Sequence, residues 1–299
     1  MSKKYELLQN DKIEYNETIL YRIKALKSFD DVNEGDLGGY IESEENLSHE
    51  ENCWVYESAM IYDYAKVYGN AKVYDNAEVC GEARIYDNAK IFSNVKVWRN
   101  AEVYGNAIVK GKARIYDSAR IYDNAKVEDN VRIYDNAEVY GDTRILGTTM
   151  ICGYSKVHGN AVIYGNPSIH GEAEVYGNAI VYGSSHVYGN AKVYDNAHIH
   201  GYASVHGDTI INAGVIIGQV SKPYKNIFQY QCQNRLLTAI LTENNKILYS
   251  IDCKENITKE NFINRIYNTN GGLEKNPHRA EYLKLIPLIQ AYFKENNYE

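Results

Sequence analysis

The sequence predicts a mainly β fold, a parallel β-helix built from six-residue units, and three observations predict it. Every sixth residue from Val55 to Ile217 is Val or Ile, through twenty-eight units without a slip. Two positions before each stands a small residue, mostly Ala, as at Ala59, Ala65 and Ala71. After each aliphatic residue comes an outward position, often Tyr, and then a pair such as Gly-Asn or Asp-Asn, residue types that tolerate positive φ and make tight turns. Residues two apart on an extended backbone share a face, so the small residue and the aliphatic one point inward together. An α-solenoid is excluded, because six residues turn a helix by about 600° and leave each Val about 120° from the last. Three units close one triangular coil, coils stack at roughly 4.8 Å through parallel ladders, and the run supplies about nine coils. Each buried Val or Ile contributes roughly 1.5 to 3 kcal/mol. A coil cannot bury its faces alone, so neighbours are obligatory.

The chain divides into residues 1–54, an N-terminal capping segment; 55–217, the repeat; and 218–299, a small α+β segment. Residues 5–27 alternate apolar and polar positions around Asn16-Glu17 and read as a β-hairpin. Ile41, Leu47 and Cys53 already keep the six-residue spacing, so the helix is expected to begin irregularly near Ile41 and to be closed there by the hairpin. From Gln219 the period vanishes. Residues 226–232, 236–241 and 246–252 read as strands, with a turn at Glu243-Asn244-Asn245. Thr258 is an N-cap for a helix carrying Phe262, Ile263 and Ile266. Asn276-Pro277 opens a second helix with a stripe of Leu283, Ile286, Ile289 and Phe293, kinked at Pro287. The simplest role of this segment is to cap the last coil.

Composition narrows the function classes. The 299 residues include 29 tyrosines and carry a net charge of −7, distributed as −7 over residues 1–54, −3 over 55–217 and +3 over 218–299. Nucleic-acid binding calls for a basic stripe, and none is present in the repeat. No long apolar run or signal-peptide pattern occurs, so neither a membrane span nor export is expected, and a cytoplasmic location is. Cys80 and Cys152 lie four coils apart, roughly 19 Å at strand spacing, too far for a disulfide. Cys53, Cys232 and Cys253 complete an odd set without the spacing of a metal site; Cys232 and Cys253 could be neighbours in the C-terminal segment, but read first as buried thiols.

Positions eighteen apart stack, so the outer surface can be read as vertical ladders. One carries Tyr68, Tyr86, Tyr104, Tyr122, Tyr140, His158, Tyr176 and Tyr194, beside a ladder of Asn70, Asn88, Asn106, Asn124 and Asp142 and a nearly alternating run of charges from Lys66 to Lys192. Such ladders stabilise parallel sheets, and an aromatic stripe with polar tips is also a surface for a protein partner or planar ligand. A second face is less polar. Val162, Tyr164, Ile180, Tyr182 and Ile216 form an oligomer or domain-docking patch there, with Ile108 lower on the same face. Six histidines, His158, His170, His186, His198, His200 and His206, occupy outward positions on three faces without metal-site spacing, so no metal is expected.

The uninterrupted Ala-x-Val-x-Gly-Asn units resemble the hexapeptide-repeat proteins, whose parallel β-helix is left-handed. Gly35-Asp36-Leu37-Gly38-Gly39-Tyr40-Ile41, Asn46-Leu47-Ser48, Cys53-Trp54-Val55 and the recurring Val-Tyr-Gly-Asn-Ala make the chain similar, over nearly its whole length, to the YdcK-like proteins of bacterial and prophage genomes. That resemblance implies a possible homotrimer and an acyl-CoA-dependent acyltransferase, with coenzyme A as cofactor and His158, His170 or His200 as candidate bases. Two departures weigh against this activity: the register never breaks to eject a loop, and Tyr follows the aliphatic residue where the enzymes carry a small one. The reading adopted is therefore a non-catalytic scaffold or binding protein without cofactor, using the tyrosine stripe or the terminal segment. A phage inhibitor that sequesters a host protein or small signalling molecule is a further alternative.

Overall fold

A computed structural model describes residues 3–201, 203–208, 210–211, 216–217, 227–232, 235–241, 247–251, 257–268, 273 and 279–295. The chain falls into two compact units, Met1–Tyr164 and Gly165–Glu299, so this division lies inside the repeat.

The first unit opens with the expected hairpin, β1 (Tyr5–Tyr15) antiparallel to β2 (Thr18–Ala25). Asn16 and Glu17 both take left-handed φ, 48° and 65°, as a two-residue turn matched to strand twist requires. The next strand, β3 (Leu37–Ile41), is the hand-over. One edge pairs antiparallel with β2 and the other pairs parallel with Met60–Ile61, where the coils begin. Gly38 and Gly39 allow that approach. A Cβ on Gly38 would lie 2.6 Å from the Val55 carbonyl oxygen, and one on Gly39 2.5 Å from that of Ala59.

The first coil departs from the spacing read in the sequence. Ile41 pairs with Ile61, Leu47 bridges Val67, and Val55 pairs with Val73, whereas Cys53 is not an aliphatic position. Cys53 instead takes the small inward place two before Val55, because the corner between Leu47 and Val55 holds two extra residues. That corner is filled by buried Lys4. Its Nζ donates to the carbonyls of Glu50 (3.2 Å), Glu51 (3.4 Å) and Cys53 (2.9 Å) and to Cys53 Sγ (3.2 Å). Burial pushes the Lys4 amine below its usual range. Trp54 lies edge-on to Tyr5 and Phe29, and Lys72 pairs with Asp30 (2.6 Å) and Asp31 (2.5 Å). Buried Glu78 accepts from Tyr15 and Tyr62 and pairs with Lys96, tying the hairpin to the coils.

Above this cap the coils are regular. Strands of two residues, such as Lys66–Val67, Lys72–Val73 and Glu78–Val79, pair in parallel with residues eighteen further on. The Lys66 N–H donates to the Ala83 carbonyl at 2.9 Å and that of Tyr68 to the Ile85 carbonyl at 3.1 Å. We call the faces first, second and third after Val55, Ile61 and Val67. Among the described residues, the inward Ala and Val or Ile side chains of the coils are buried. At the corners only the residue after the outward position takes positive φ, Asp87 at 56° and Gly105 at 67° for instance; the following Asn does not. The aspartates add a bond of their own, since Asp87 accepts from the Gly105 N–H (3.1 Å) and Asp123 from that of Gly141 (3.2 Å).

The second unit carries the same register, with Ile169 opposite Val187, Val175 opposite Val193 and Val181 opposite Ile199. The two units together hold about nine turns of parallel solenoid. Its last part is a four-stranded antiparallel sheet, Ile227–Cys232, Arg235–Leu241, Ile247–Ile251 and Ile257–Thr258, the final strand not being evident from the sequence. Thr258 caps α1 (Lys259–Asn268), its Oγ1 accepting from the Asn261 N–H at 3.4 Å. The second helix, α2 (Ala280–Glu295), runs on through Pro287, which lies on its exposed side. Its buried stripe is Tyr282, Leu285, Ile286 and Ile289, with Leu283 only half-buried, because Tyr282 turns its ring edge-on to Phe262. Asn276, Pro277, the turn at 243–245, Cys253 and the side chains of Cys232 and Phe293 lie outside the described residues.

Candidate functional site

The third face of the first unit carries the expected stripe as one aromatic column. Tyr68, Tyr86, Tyr104, Tyr122, Tyr140 and His158 follow one another with ring centroids 4.7 to 4.9 Å apart and planes within 5° of parallel. The strand spacing sets that interval, and the rings lie in the stacked arrangement that aromatic side chains favour. The rings are half-buried, except Tyr68, which is 36% exposed. In the second unit, Tyr176 and Tyr194 stack in the same way at 4.8 Å.

The phenol tips are not equivalent. Sixteen residues after each Tyr, in the next coil, stands a charged residue, and along this face its sign alternates over several coils. Tyr86 donates to Glu102 (3.5 Å) and Tyr122 to Glu138 (3.2 Å), whereas Tyr68 and Tyr104 lie beside Arg84 and Arg120. Burial raises the pKa of all four phenols. The carboxylates push Tyr86 and Tyr122 higher, and the arginines offset part of the rise at Tyr68 and Tyr104. Between coils Arg84 pairs with Glu102 (3.4 Å), and in the second unit Lys192 pairs with Glu174 (3.3 Å). Beside the rings an amide ladder runs from Asn52 through Asn70, Asn88, Asn106 and Asn124 to Asp142, each Nδ2 donating to the next side-chain oxygen at 2.9 to 3.2 Å. Asp142 carries no amide proton and serves there as acceptor.

At the hairpin end of the stripe lies an open groove of about 550 Å³, lined by Glu45, Asn46, Asp63, Tyr64, Lys66, Tyr68, Glu82 and Arg84 among others. Tyr64 is 77% exposed and also borders a second groove with Arg99 and Asp117. The sequence reading passed over Tyr64. A signal was present, since Tyr64 and Tyr154 stand at the corner position that is usually Asn, and both are well exposed.

The other candidates are not brought together. His158 closes the column of the first unit. In the second unit, His170 stacks on Tyr188 at 4.9 Å and His200 on Tyr182 at 5.1 Å, on different faces. Burial, followed by the neighbouring His186 and His198 respectively, lowers the pKa of these two imidazoles. His206, expected to be outward, stacks on Tyr188 at 4.7 Å but is buried. Among the described residues no group of three or more His, Cys, Asp or Glu is placed to hold a metal ion. Val162 and Tyr164 in the first unit and Ile180 and Tyr182 in the second are half-buried; the side chain of Ile216 lies outside the described residues. Cys53, Cys80 and Cys152 are free thiols. Among the described residues no helix is long and apolar enough to cross a membrane.

A parallel solenoid of six-residue units with tyrosine and asparagine ladders defines the class. Residues 173–189 match the family model described as the YdcK Beta solenoid repeat, and that match together with a solenoid of about nine turns supports a YdcK-like β-solenoid protein. No curated protein matches it.

Proposed function

We propose that this chain is a non-catalytic scaffold whose tyrosine stripe, Tyr68 to Tyr140, is the contact surface for a protein partner. The observation that carries the reading is the column itself, half-exposed rings held parallel with polar tips of alternating electrostatic character. Aromatic rings anchored in a rigid frame lose little entropy on binding, and interface hot spots are rich in Tyr. The groove at Tyr64 and Tyr68 extends the same surface. A prophage-borne, cytoplasmic protein of this kind would use the stripe to hold a host protein.

The test is native mass spectrometry of protein isolated gently from its own host, wild type against Tyr122→Ser combined with Tyr140→Ser. The wild type is expected to retain a partner that the double variant loses, while circular dichroism shows both folded. A partner kept by the double variant, or turnover with coenzyme A that survives it, would overturn the proposal.

A further inference from the structure

The outward strand positions on the second face of the first unit carry an uninterrupted run of cations. Lys96 lies opposite Arg114 and Arg114 opposite Arg132, in register and one strand spacing, roughly 4.8 Å, apart. The run is bounded by Glu78 before Lys96 and by Met150 after Arg132. All three cations are exposed, as is Lys112 at the corner two residues before Arg114. On the third face the same position alternates in sign instead, from Arg84 through Glu102, Arg120 and Glu138 to Lys156.

Like charges directly opposite one another destabilise a sheet. Where cations meet in register elsewhere in the coils, one member is neutralised. Lys72, opposite Lys90, pairs with Asp30 and Asp31; Arg84, opposite Lys66, pairs with Glu102; and Arg144, opposite Lys126, pairs with Glu128. Lys96 is likewise held by Glu78 at 2.5 Å. Among the described residues Arg114 and Arg132 are the exception, for neither has an acidic partner. The acids nearest them in sequence are committed: Asp117 pairs with Arg99, Asp135 accepts from the Gly153 N–H (3.0 Å), and Asp129 accepts from that of Gly147 (3.1 Å). Two guanidinium groups therefore stand side by side without a counter-charge.

We propose that Arg114 and Arg132, with Lys112 beside them, bind a short acidic segment of a partner protein. The inference is independent of the tyrosine stripe, which lies on the third face and takes a different partner. A guanidinium holds a carboxylate through two parallel N–H···O bonds, so the two arginines present two forks to two carboxylates. The bound acids supply the counter-charge that the ladder lacks. The length of the run selects the class of ligand. Its ends are about 10 Å apart, a span that two or three Asp or Glu side chains can cover. It is too short a track for a nucleic-acid backbone, which is held through many phosphates.

The test is an NMR titration of the intact protein with hexaglutamate, followed through the backbone amides of Ile115 and Ile133, with oligothymidylate titrated in parallel. The wild type is expected to bind hexaglutamate. Arg114→Gln combined with Arg132→Gln is expected to weaken that binding about tenfold or more, as the loss of charge-assisted bonds implies. Lys90→Gln, which removes an exposed cation of the first face, is expected to leave it unchanged. Arg114→Glu turns the run into an alternating one and is expected to raise the urea midpoint while abolishing binding. No binding by the wild type, equal binding by the double variant, a lowered midpoint in Arg114→Glu, or tighter binding of oligothymidylate through the same arginines would overturn the proposal.

Discussion

Thr143 occupies an inward place that Ala holds in most units, and its buried hydroxyl has no hydrogen-bond partner. Its neighbours in the repeat solve the same problem, Thr149 donating to the Leu146 carbonyl and Ser155 to that of Cys152, both at 2.8 Å. A buried unsatisfied hydroxyl costs about 1 to 3 kcal/mol, and Val has nearly the shape of Thr. Val already fills equivalent places at Val95 and Val131, both fully buried. Thr143→Val is therefore expected to stabilise the protein by about 1 kcal/mol, read as a higher midpoint in urea at unchanged slope. A lower midpoint would contradict the account. At this scale the sequence was legible only in part. Which corner residue takes positive φ, which threonine is orphaned, and where Lys4 buries its amine all depend on contacts between distant segments, and the six-residue unit carries no trace of them.

Elements were legible wherever the pattern repeats. A two-residue strand has almost no local signal, but twenty-eight copies in one register leave a single arrangement that buries every Val and Ile. The cap lacked that redundancy. The eight-residue step from Leu47 to Val55 was hidden because Cys53 falls by coincidence on the six-residue count. The strand at Ile257–Thr258 is too short to declare itself.

The tyrosine column makes its own prediction at this scale. Burial raises the pKa of Tyr68, Tyr86, Tyr104 and Tyr122 above the ordinary value of 10.0. The folded state therefore holds phenol protons that the unfolded chain would release. This contribution to stability is complete below about pH 10 and is lost as the pH rises through the folded values. The column's contribution to stability should be flat from neutral pH to about pH 9.5 and fall steeply on the alkaline side. Replacing Tyr86 and Tyr122 together by Phe should make that fall shallower, as followed by circular dichroism against pH. An equally steep fall in the double variant would place its origin outside the column.

For the whole molecule, fold and function were legible to different depths. The period excludes a helical solenoid on geometry alone, and the YdcK solenoid repeat at residues 173–189 agrees with it. The stripe and its alternating charges were visible in the sequence as ladders, and the structure adds what a ladder of letters lacks: the parallel stacking of the rings, the bonds from Tyr86 and Tyr122 to Glu102 and Glu138, and the groove beside Tyr64. What binds there is a matter of surface chemistry that the period does not encode.

The measurement that tests the central claim most directly is hydroxyl-radical footprinting of the native complex against the free protein, read tyrosine by tyrosine. The account predicts protection at Tyr64, Tyr68, Tyr86, Tyr104, Tyr122 and Tyr140, with Tyr116 and Tyr134 on the second face unchanged. Protection at Tyr116 and Tyr134 with the third face unaltered would contradict it.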